Sequence, residues 1–190
     1  MSLKFKANTE VLKSLFKTLF KCCPPIRENK NREHLWQAVS DGRLDFIVSD
    51  HSPCTPELKH IDTGDIEKAW GGISALQFGL PLIWTEAKDR GFTLVDLARL
   101  MSAETAKFAG LDGIKGAIKV GNHADFCIFD ETIEYTITTE MIKHKHNITP
   151  YAGRKVTGQV NHTFVRGFHV YQQDEFINSP IGRPLLKGQL

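Results

Sequence analysis

Apolar residues recur at the spacing of an amphipathic helix in three stretches of the first 110 residues. The pattern predicts helices over residues 9–20, 31–40 and 93–108, and Gly42 is typical of the end of the second. A fourth apolar stretch covers residues 73–88, and we expect Pro81 to kink or divide it because proline lacks the N–H that a helix interior needs. The apolar faces are formed by Leu12, Leu15, Phe16 and Leu19, by Leu35, Trp36 and Val39, and by Leu94, Leu97, Leu100 and Met101.

Residues 44–48, with the sequence LDFIV, form a short apolar run that predicts a buried strand. The chain then becomes polar in the string SDHSP, where Pro53 ends the extended run and fixes a turn that carries Asp50 and His51. Ionisable side chains directly after a buried strand lie where α/β folds bind their ligands. Asp and Ser also stabilise many ordinary turns, so Asp50 has a purely structural interpretation as well.

Glycines interrupt the chain from Gly110 onward, and alternating apolar residues between them predict strands near residues 126–129, 134–138 and 163–170. The residues after 172 are polar and contain two prolines, so we expect a tail that is disordered or wrapped on a partner. The predicted units are a basic amphipathic start (1–19), an αβ unit (20–109), a small β-rich unit (110–172) and the tail (173–190).

The composition of the 190-residue chain is that of an ordinary globular protein, with 41% hydrophobic residues, 24% charged residues and a net charge of +2. No basic patch with interleaved aromatic residues is present, and no apolar run reaches the ~18 residues of a membrane helix. We therefore expect neither a nucleic acid nor a membrane partner. Four cysteines fit no zinc-finger spacing and predict reduced thiols in an intracellular protein, with cytoplasm, mitochondrion and peroxisome left open.

Two long strings, VSDHSPCTPELK and KAWGGISALQFGLPLIWTEA, resemble the last barrel strand and the following loop of allantoinases, which are cyclic amidohydrolases of the amidohydrolase superfamily. The string GIKGAIKVGNHADFCIFD resembles the start of the superfamily's small β-domain. The resemblance implies an α/β fold: the carboxyl-terminal part of a (β/α)₈ metal-dependent hydrolase barrel plus a small β-sandwich domain. Since a complete barrel takes about 250 residues, we expect only its last part here.

The same resemblance implies roles for particular residues. Asp50 stands where the family has a metal ligand that is also the general base. Cys23, in the string CCPPIR, and Gly71 stand where main-chain groups bind the substrate. The implied cofactor is zinc or another divalent metal, binuclear in the complete family members. His144 and His146 form an H-x-H, the pattern of a metal motif, but allantoinases carry a similar string at this place without ligand duty.

The implied activity is hydrolysis of the hydantoin ring amide of allantoin in purine catabolism, by a homo-oligomer that is a tetramer in the family. A dihydropyrimidinase or dihydroorotase type of cyclic amidohydrolase is the first alternative. The second is an inactive remnant that acts only as a binding partner. Because the family's early H-x-H, its carbamylated Lys and its middle-strand His ligands have no counterpart here, we expect the chain alone to be inactive.

Overall fold

The computed structural model describes residues 17–25, 28–177 and 179–186. Four α-helices precede a four-stranded antiparallel sheet in the described part of the chain. The helices are α1 (Asn29–Ser40), α2 (Gly79–Ala87), α3 (Leu94–Ala98) and α4 (Glu104–Phe108), and the strands are β1 (Phe126–Thr136), β2 (Lys155–Val165), β3 (Phe168–Gln172) and β4 (Glu175–Phe176). Short 3₁₀ turns cover Lys17–Phe20, Leu76–Phe78 and Lys88–Arg90. No helix among these residues is long and apolar enough to cross a membrane.

Helix α1 confirms the helix predicted over residues 31–40. It buries Trp36 and Val39, and it ends at Ser40 with Asp41 as its C-cap residue, followed by Gly42 with a φ of +72°. The helix predicted over residues 9–20 can be compared with the structure only at Lys17–Phe20, where the chain forms a single 3₁₀ turn. Residues 9–16 lie outside the described residues.

Pro81 does not kink or divide α2, so that expectation was wrong. The proline is the third residue of the helix, in the first turn, where backbone N–H groups have no partner inside the helix in any case. The helix is buried on most sides, through Pro81, Leu82, Ile83, Trp84 and Ala87.

The predicted helix over residues 93–108 is present as α3 and α4, joined by a π-helical turn at Arg99–Ala103. Thr93 begins it with a capping box: its hydroxyl accepts from the Asp96 N–H, and the Asp96 carboxylate accepts from the Thr93 N–H. Leu97, Leu100 and Ala106 are the buried side chains of this segment.

Residues 44–48 do not form the predicted strand. Val48 and His51 each take part in an isolated bridge, that of His51 being parallel to Ile73, and the Ile47 N–H bonds to the Leu100 carbonyl of the π-helical turn. A strand needs a continuous ladder of bonds to a neighbour, and the described residues supply none here. The run is nevertheless anchored, because Ile47 is 1% exposed.

The sheet has the order β1-β2-β3-β4. The prediction at residues 126–129 is confirmed as part of β1, which also takes in most of the run at 134–138. The predicted strand at residues 163–170 is instead a hairpin: Arg166 and Gly167, both with positive φ, form the two-residue turn between β2 and β3.

The tail is more ordered than its composition predicts. Gln173 and Asp174 turn the chain into β4, and the Ile177 N–H bonds to the Val170 carbonyl. The Arg166 guanidinium donates to the Ile181 carbonyl at 2.6 Å. These contacts hold residues 173–177 and Ile181 against the sheet, so the expectation of a disordered tail is wrong for these residues.

One hydrophobic cluster contains buried residues from both sides of the predicted boundary at residue 110, among them Trp36, Leu82, Ile137 and Val156. Helix α2 packs on β2, where Gly158 makes the approach possible: a methyl group there would lie 2.1 Å from the Phe129 ring and 2.9 Å from Trp84. The structure is thus an α/β arrangement with an antiparallel sheet on one shared core.

Candidate active site

The turn that carries Asp50 has an unusual backbone. Asp50 is exposed and has a φ of +45°, a region that few non-glycine residues adopt and in which Asp and Asn are enriched. Ile73 anchors the turn through two contacts. It forms an isolated parallel β-bridge with His51, and its carbonyl oxygen accepts a hydrogen bond from the Ser52 N–H at 3.0 Å. The Asp50 carboxylate therefore lies on a fixed turn within reach of solvent.

His51 fixes the same turn through its ring. Its Nδ1 accepts from the Ala75 and Leu76 N–H groups at 3.0 and 3.1 Å, at the start of the helical segment that leads into α2. Because an accepting Nδ1 carries no proton, the ring has the Nε2–H tautomer. Burial lowers the pKa of His51, which agrees with a neutral ring. His51 is therefore a helix cap rather than an acid or base in this structure.

Gly71 and Gly72 connect the three predicted site segments. A methyl group at Gly71 would lie 2.7 Å from the Cys23 Sγ, and one at Gly72 would lie 2.5 Å from the Ser52 Oγ and 2.6 Å from its carbonyl oxygen. The neighbouring Trp70 indole N–H also donates to the carbonyl and hydroxyl oxygens of Ser52, both at 3.2 Å. The structure therefore brings Cys23, Gly71 and the Asp50 turn together.

Cys23 is exposed and precedes Pro24 through a cis peptide bond. Its side chain lies against Gly71, so the Cys23 loop and the glycine loop form one continuous surface beside the Asp50 turn.

Sequence reasoning missed Lys59. It lies in the polar stretch after Pro56, which has the pattern of a solvated loop, yet its side chain is only 2% exposed. Its ammonium donates to the carbonyl oxygens of Lys21, Trp70 and Gly72 at 3.0, 2.8 and 2.6 Å. No local sequence signal distinguishes this lysine from its solvated neighbours, because all three acceptors are main-chain atoms.

His144 lies beside the same turn, a position that the sequence did not predict. Its ring meets that of His51 edge-on, with 5.4 Å between the ring centroids. Both His144 ring nitrogens are buried and have no hydrogen-bond partner among the described residues. Burial, with a smaller contribution from His51, lowers the pKa of His144.

The described residues do not form a complete metal centre. No group of three or more His, Cys, Asp or Glu side chains in residues 17–25, 28–177 and 179–186 could hold a metal ion. The residues outside these ranges add only Glu10 to the possible ligands of these types. Asp50, the predicted metal ligand, lies on an exposed turn. The Nδ1 atom of its neighbour His51 already accepts hydrogen bonds from two backbone N–H groups.

An open cavity of about 1100 Å³ lies elsewhere, between the segment of α3 and α4 and strand β1. Its lining is mainly apolar and includes Ala98, Ala106, Ile118, Phe126 and Ile128. None of the predicted site residues lines it, so this cavity is not the candidate site.

The amidohydrolase family model matches residues 10–170. The allantoinase of Streptomyces avermitilis is 48% identical over 166 residues, which cover 87% of this chain and 36% of that protein. The mitochondrial allantoinase of Aquarana catesbeiana is 58% identical over 102 residues, or 54% of this chain and 21% of that protein. The structure of the L-hydantoinase (dihydropyrimidinase) of Arthrobacter aurescens superposes with a TM-score of 0.84 at 28% identity, covering 93% of this chain and 39% of that one.

The chain thus spans about a third or less of the length of these curated relatives. The family match nevertheless extends from before the Cys23 loop to the last long strand of the sheet, and it includes every segment of the candidate site. The chain belongs to the amidohydrolase family.

Proposed function

We propose that this chain contributes to the hydrolysis of the hydantoin ring amide of allantoin, which gives allantoate. The observation that carries the proposal is the meeting of three segments, the Cys23 loop, the Gly71–Gly72 loop and the Asp50 turn, at one surface. The similarity to allantoinases at 48% identity supports allantoin as the substrate.

In the proposed reaction, Asp50 is the general base. Its carboxylate takes a proton from the water that attacks the ring carbonyl, and it returns this proton to the ring nitrogen as the carbon–nitrogen bond breaks. One water is consumed: its hydroxyl group is added to the ring carbonyl carbon, which becomes a carboxylic acid, and its proton is added to the ring nitrogen, which becomes an NH₂ group. The exposed position of Asp50 and its positive φ support this role, because strained backbone at an accessible carboxylate is typical of functional sites.

Main-chain groups of Cys23 and Gly71 bind the substrate in this proposal. A backbone contact does not depend on the side chain, so cysteine serves at position 23. Gly71 leaves room for the Cys23 thiol, and any larger residue would displace it.

Zinc or another divalent metal belongs to the proposal through the family alone. The described residues do not complete a metal site, so the part of this chain in metal binding is the Asp50 carboxylate. The proposed place of residues 20–109 is the carboxyl-terminal part of a (β/α)₈ barrel, and that of the sheet is one layer of a β-sandwich. A homotetramer and an intracellular location are further parts of the proposal.

A hydantoinase or dihydropyrimidinase activity is the second candidate. The TM-score of 0.84 to the L-hydantoinase of Arthrobacter aurescens favours it, because that superposition covers 93% of this chain. The sequence identity to that enzyme is 28%, against 48% to the Streptomyces avermitilis allantoinase, so allantoin is preferred. Turnover of dihydrouracil in place of allantoin would reverse this order.

The test is a chimera in which this chain replaces the matching segment of the Streptomyces avermitilis allantoinase. We expect the chimera to hydrolyse allantoin, and we expect Asp50→Asn to lower kcat by at least a thousandfold, because the amide keeps the shape but loses the base and the charge. Asp62→Asn, at an exposed carboxylate in the loop after the turn, is the matched control and should leave kcat unchanged.

The 190-residue chain alone is measured in parallel with zinc or manganese added. We expect no enzyme-like turnover, because the described residues offer too few metal ligands. Turnover by the chain alone that survives Asp50→Asn would show that the assignment of Asp50 is wrong, and His144 and His146 would then be the first residues to test.

A further inference from the structure

We propose that Lys59 is a positioning residue that holds the Cys23 loop and the Gly71–Gly72 loop against the Asp50 turn. The role in catalysis rests on the proposed function, whereas the clamp itself is a property of this chain. In this assignment Lys59 does not contact the substrate. It acts through the main chain of the two loops that bind the substrate.

The three acceptors of Lys59 come from both loops. The Lys21 carbonyl lies two residues before Cys23, and the carbonyls of Trp70 and Gly72 lie on either side of Gly71. A lysine ammonium has three donors on one nitrogen, so all three can be engaged at a single point. The bonds therefore fix the position of Cys23 relative to Gly71.

Lys59 also belongs to the segment that follows the Asp50 turn. The stretch between them is tied back to the glycine loop by the Ser52 N–H bond to Ile73 and by the Trp70 N–H bond to the Leu58 carbonyl. Gly72 lies within contact of Ser52. One buried side chain thus joins the segments of all three predicted site residues.

A side chain that only filled space at position 59 would not need a charge. Burying an ammonium is unfavourable unless carbonyl or carboxylate oxygens replace its water, and an apolar side chain of the same length would fill the space without that cost. The apolar alternative would leave the three carbonyls without this donor and free to separate. The charge at position 59 is therefore tied to the orientation of these carbonyls.

Lys59→Met tests the clamp in the 190-residue chain, because methionine keeps the length and removes the donors. We expect hydrogen exchange at the Ser52 and Trp70 amides to become at least tenfold faster, while exchange in β2 and β3 stays unchanged. Lys59→Arg, which keeps charge and donors, should restore much of the protection. Lys68→Met, at an exposed lysine of the same loop, is the matched control and should change none of these rates.

Equal acceleration throughout the chain, or no local change, would overturn the proposal. If Lys59→Met does not fold, Lys59→Gln, which keeps two N–H donors on a shorter side chain, is measured in the same way. Failure of Lys59→Arg to recover any protection would also count against a role for the donors.

The catalytic consequence is measured in the chimera. We expect Lys59→Met to raise KM for allantoin at least tenfold with a smaller fall in kcat, because the loops that bind substrate have moved while Asp50 remains. A loss of folded enzyme alone would lower apparent kcat and leave KM unchanged, which would contradict positioning. If the chimera with Lys59 intact has no activity but the exchange pattern holds, the proposed function fails and the clamp stands.

Discussion

Polar side chains around the Asp50 turn bond mainly to the backbone of other segments. His51 accepts from two N–H groups about 25 residues further along the chain, and Lys59 donates to carbonyls up to 38 residues away. Each bond fixes the path of a loop rather than another side chain. The exposed site residues, Asp50 and Cys23, are therefore held by the partly buried His51 and the buried Lys59, both of which bond to main-chain groups.

At the residue scale, Gly72→Ala tests how tightly the glycine loop lies on the turn. The added methyl group would lie 2.5–2.6 Å from Ser52, including its carbonyl oxygen, so the backbone must move. We expect a loss of about 1–3 kcal/mol in the free energy of unfolding, measured by urea denaturation.

Gly79→Ala is the matched control, since nothing lies within 4 Å of that position and its φ of −56° suits any residue. It should leave stability unchanged or raise it slightly. An equal loss from both substitutions would mean that the contact with Ser52 is not the cause.

At the scale of elements, Asp125 connects the loop before β1 to the turn between β2 and β3. Its carboxylate pairs with the Lys115 ammonium and accepts from the Arg166 N–H at 2.8 Å. Burial acts to raise the pKa of Asp125, but the bonds from Lys115 and Arg166 outweigh it and hold the pKa below its ordinary value. The ionised form is therefore favoured in the folded chain.

The depressed pKa predicts the pH dependence of stability. The contribution of Asp125 is present above the unfolded pKa, about 3.9, and is lost as the pH falls through the lower folded pKa. We expect Asp125→Asn to lower the free energy of unfolding by about 1–2 kcal/mol at pH 7. The difference from the wild type should shrink below about pH 4 in urea titrations. A difference that stays constant down to pH 2 would contradict the assignment.

At the scale of the whole molecule, the shared core decides cooperativity. Trp84 of α2 packs near Gly158 of β2 and donates to the Glu131 carbonyl of β1 at 3.0 Å, so the helical unit and the sheet bury one another's apolar residues. The division into units at residues 20–109 and 110–172 remains a prediction. Among the described residues, the two ranges do not have separate hydrophobic cores.

We therefore expect a single unfolding transition. Tryptophan fluorescence and far-UV circular dichroism, followed in the same urea titration, should give the same midpoint. Two separate midpoints would show that the sheet and the helices unfold independently despite their contacts.

The sequence by itself determined the features that depend on neighbours along the chain. Helix α1 and the segment of α3 and α4 follow from apolar residues three and four apart, and β1 follows from alternation, because these periods reflect the geometry of the element itself. The Asp50 turn, Cys23 and Gly71 were found through a long resemblance, and the structure brings them together. Their roles remain proposals.

Tertiary structure alone decided the rest. The apolar run at residues 44–48 has the composition of a strand, but it has no continuous ladder among the described residues. Its N–H groups bond singly, Leu44 to the Ala38 carbonyl and Ile47 to the Leu100 carbonyl, and Val48 forms an isolated bridge. The positions of Lys59 and His144 beside the Asp50 turn have no local signal, since their surroundings come from segments 11 to 93 residues away. Burial of a polar side chain depends on which distant backbone atoms meet it, and only the folded chain specifies those atoms.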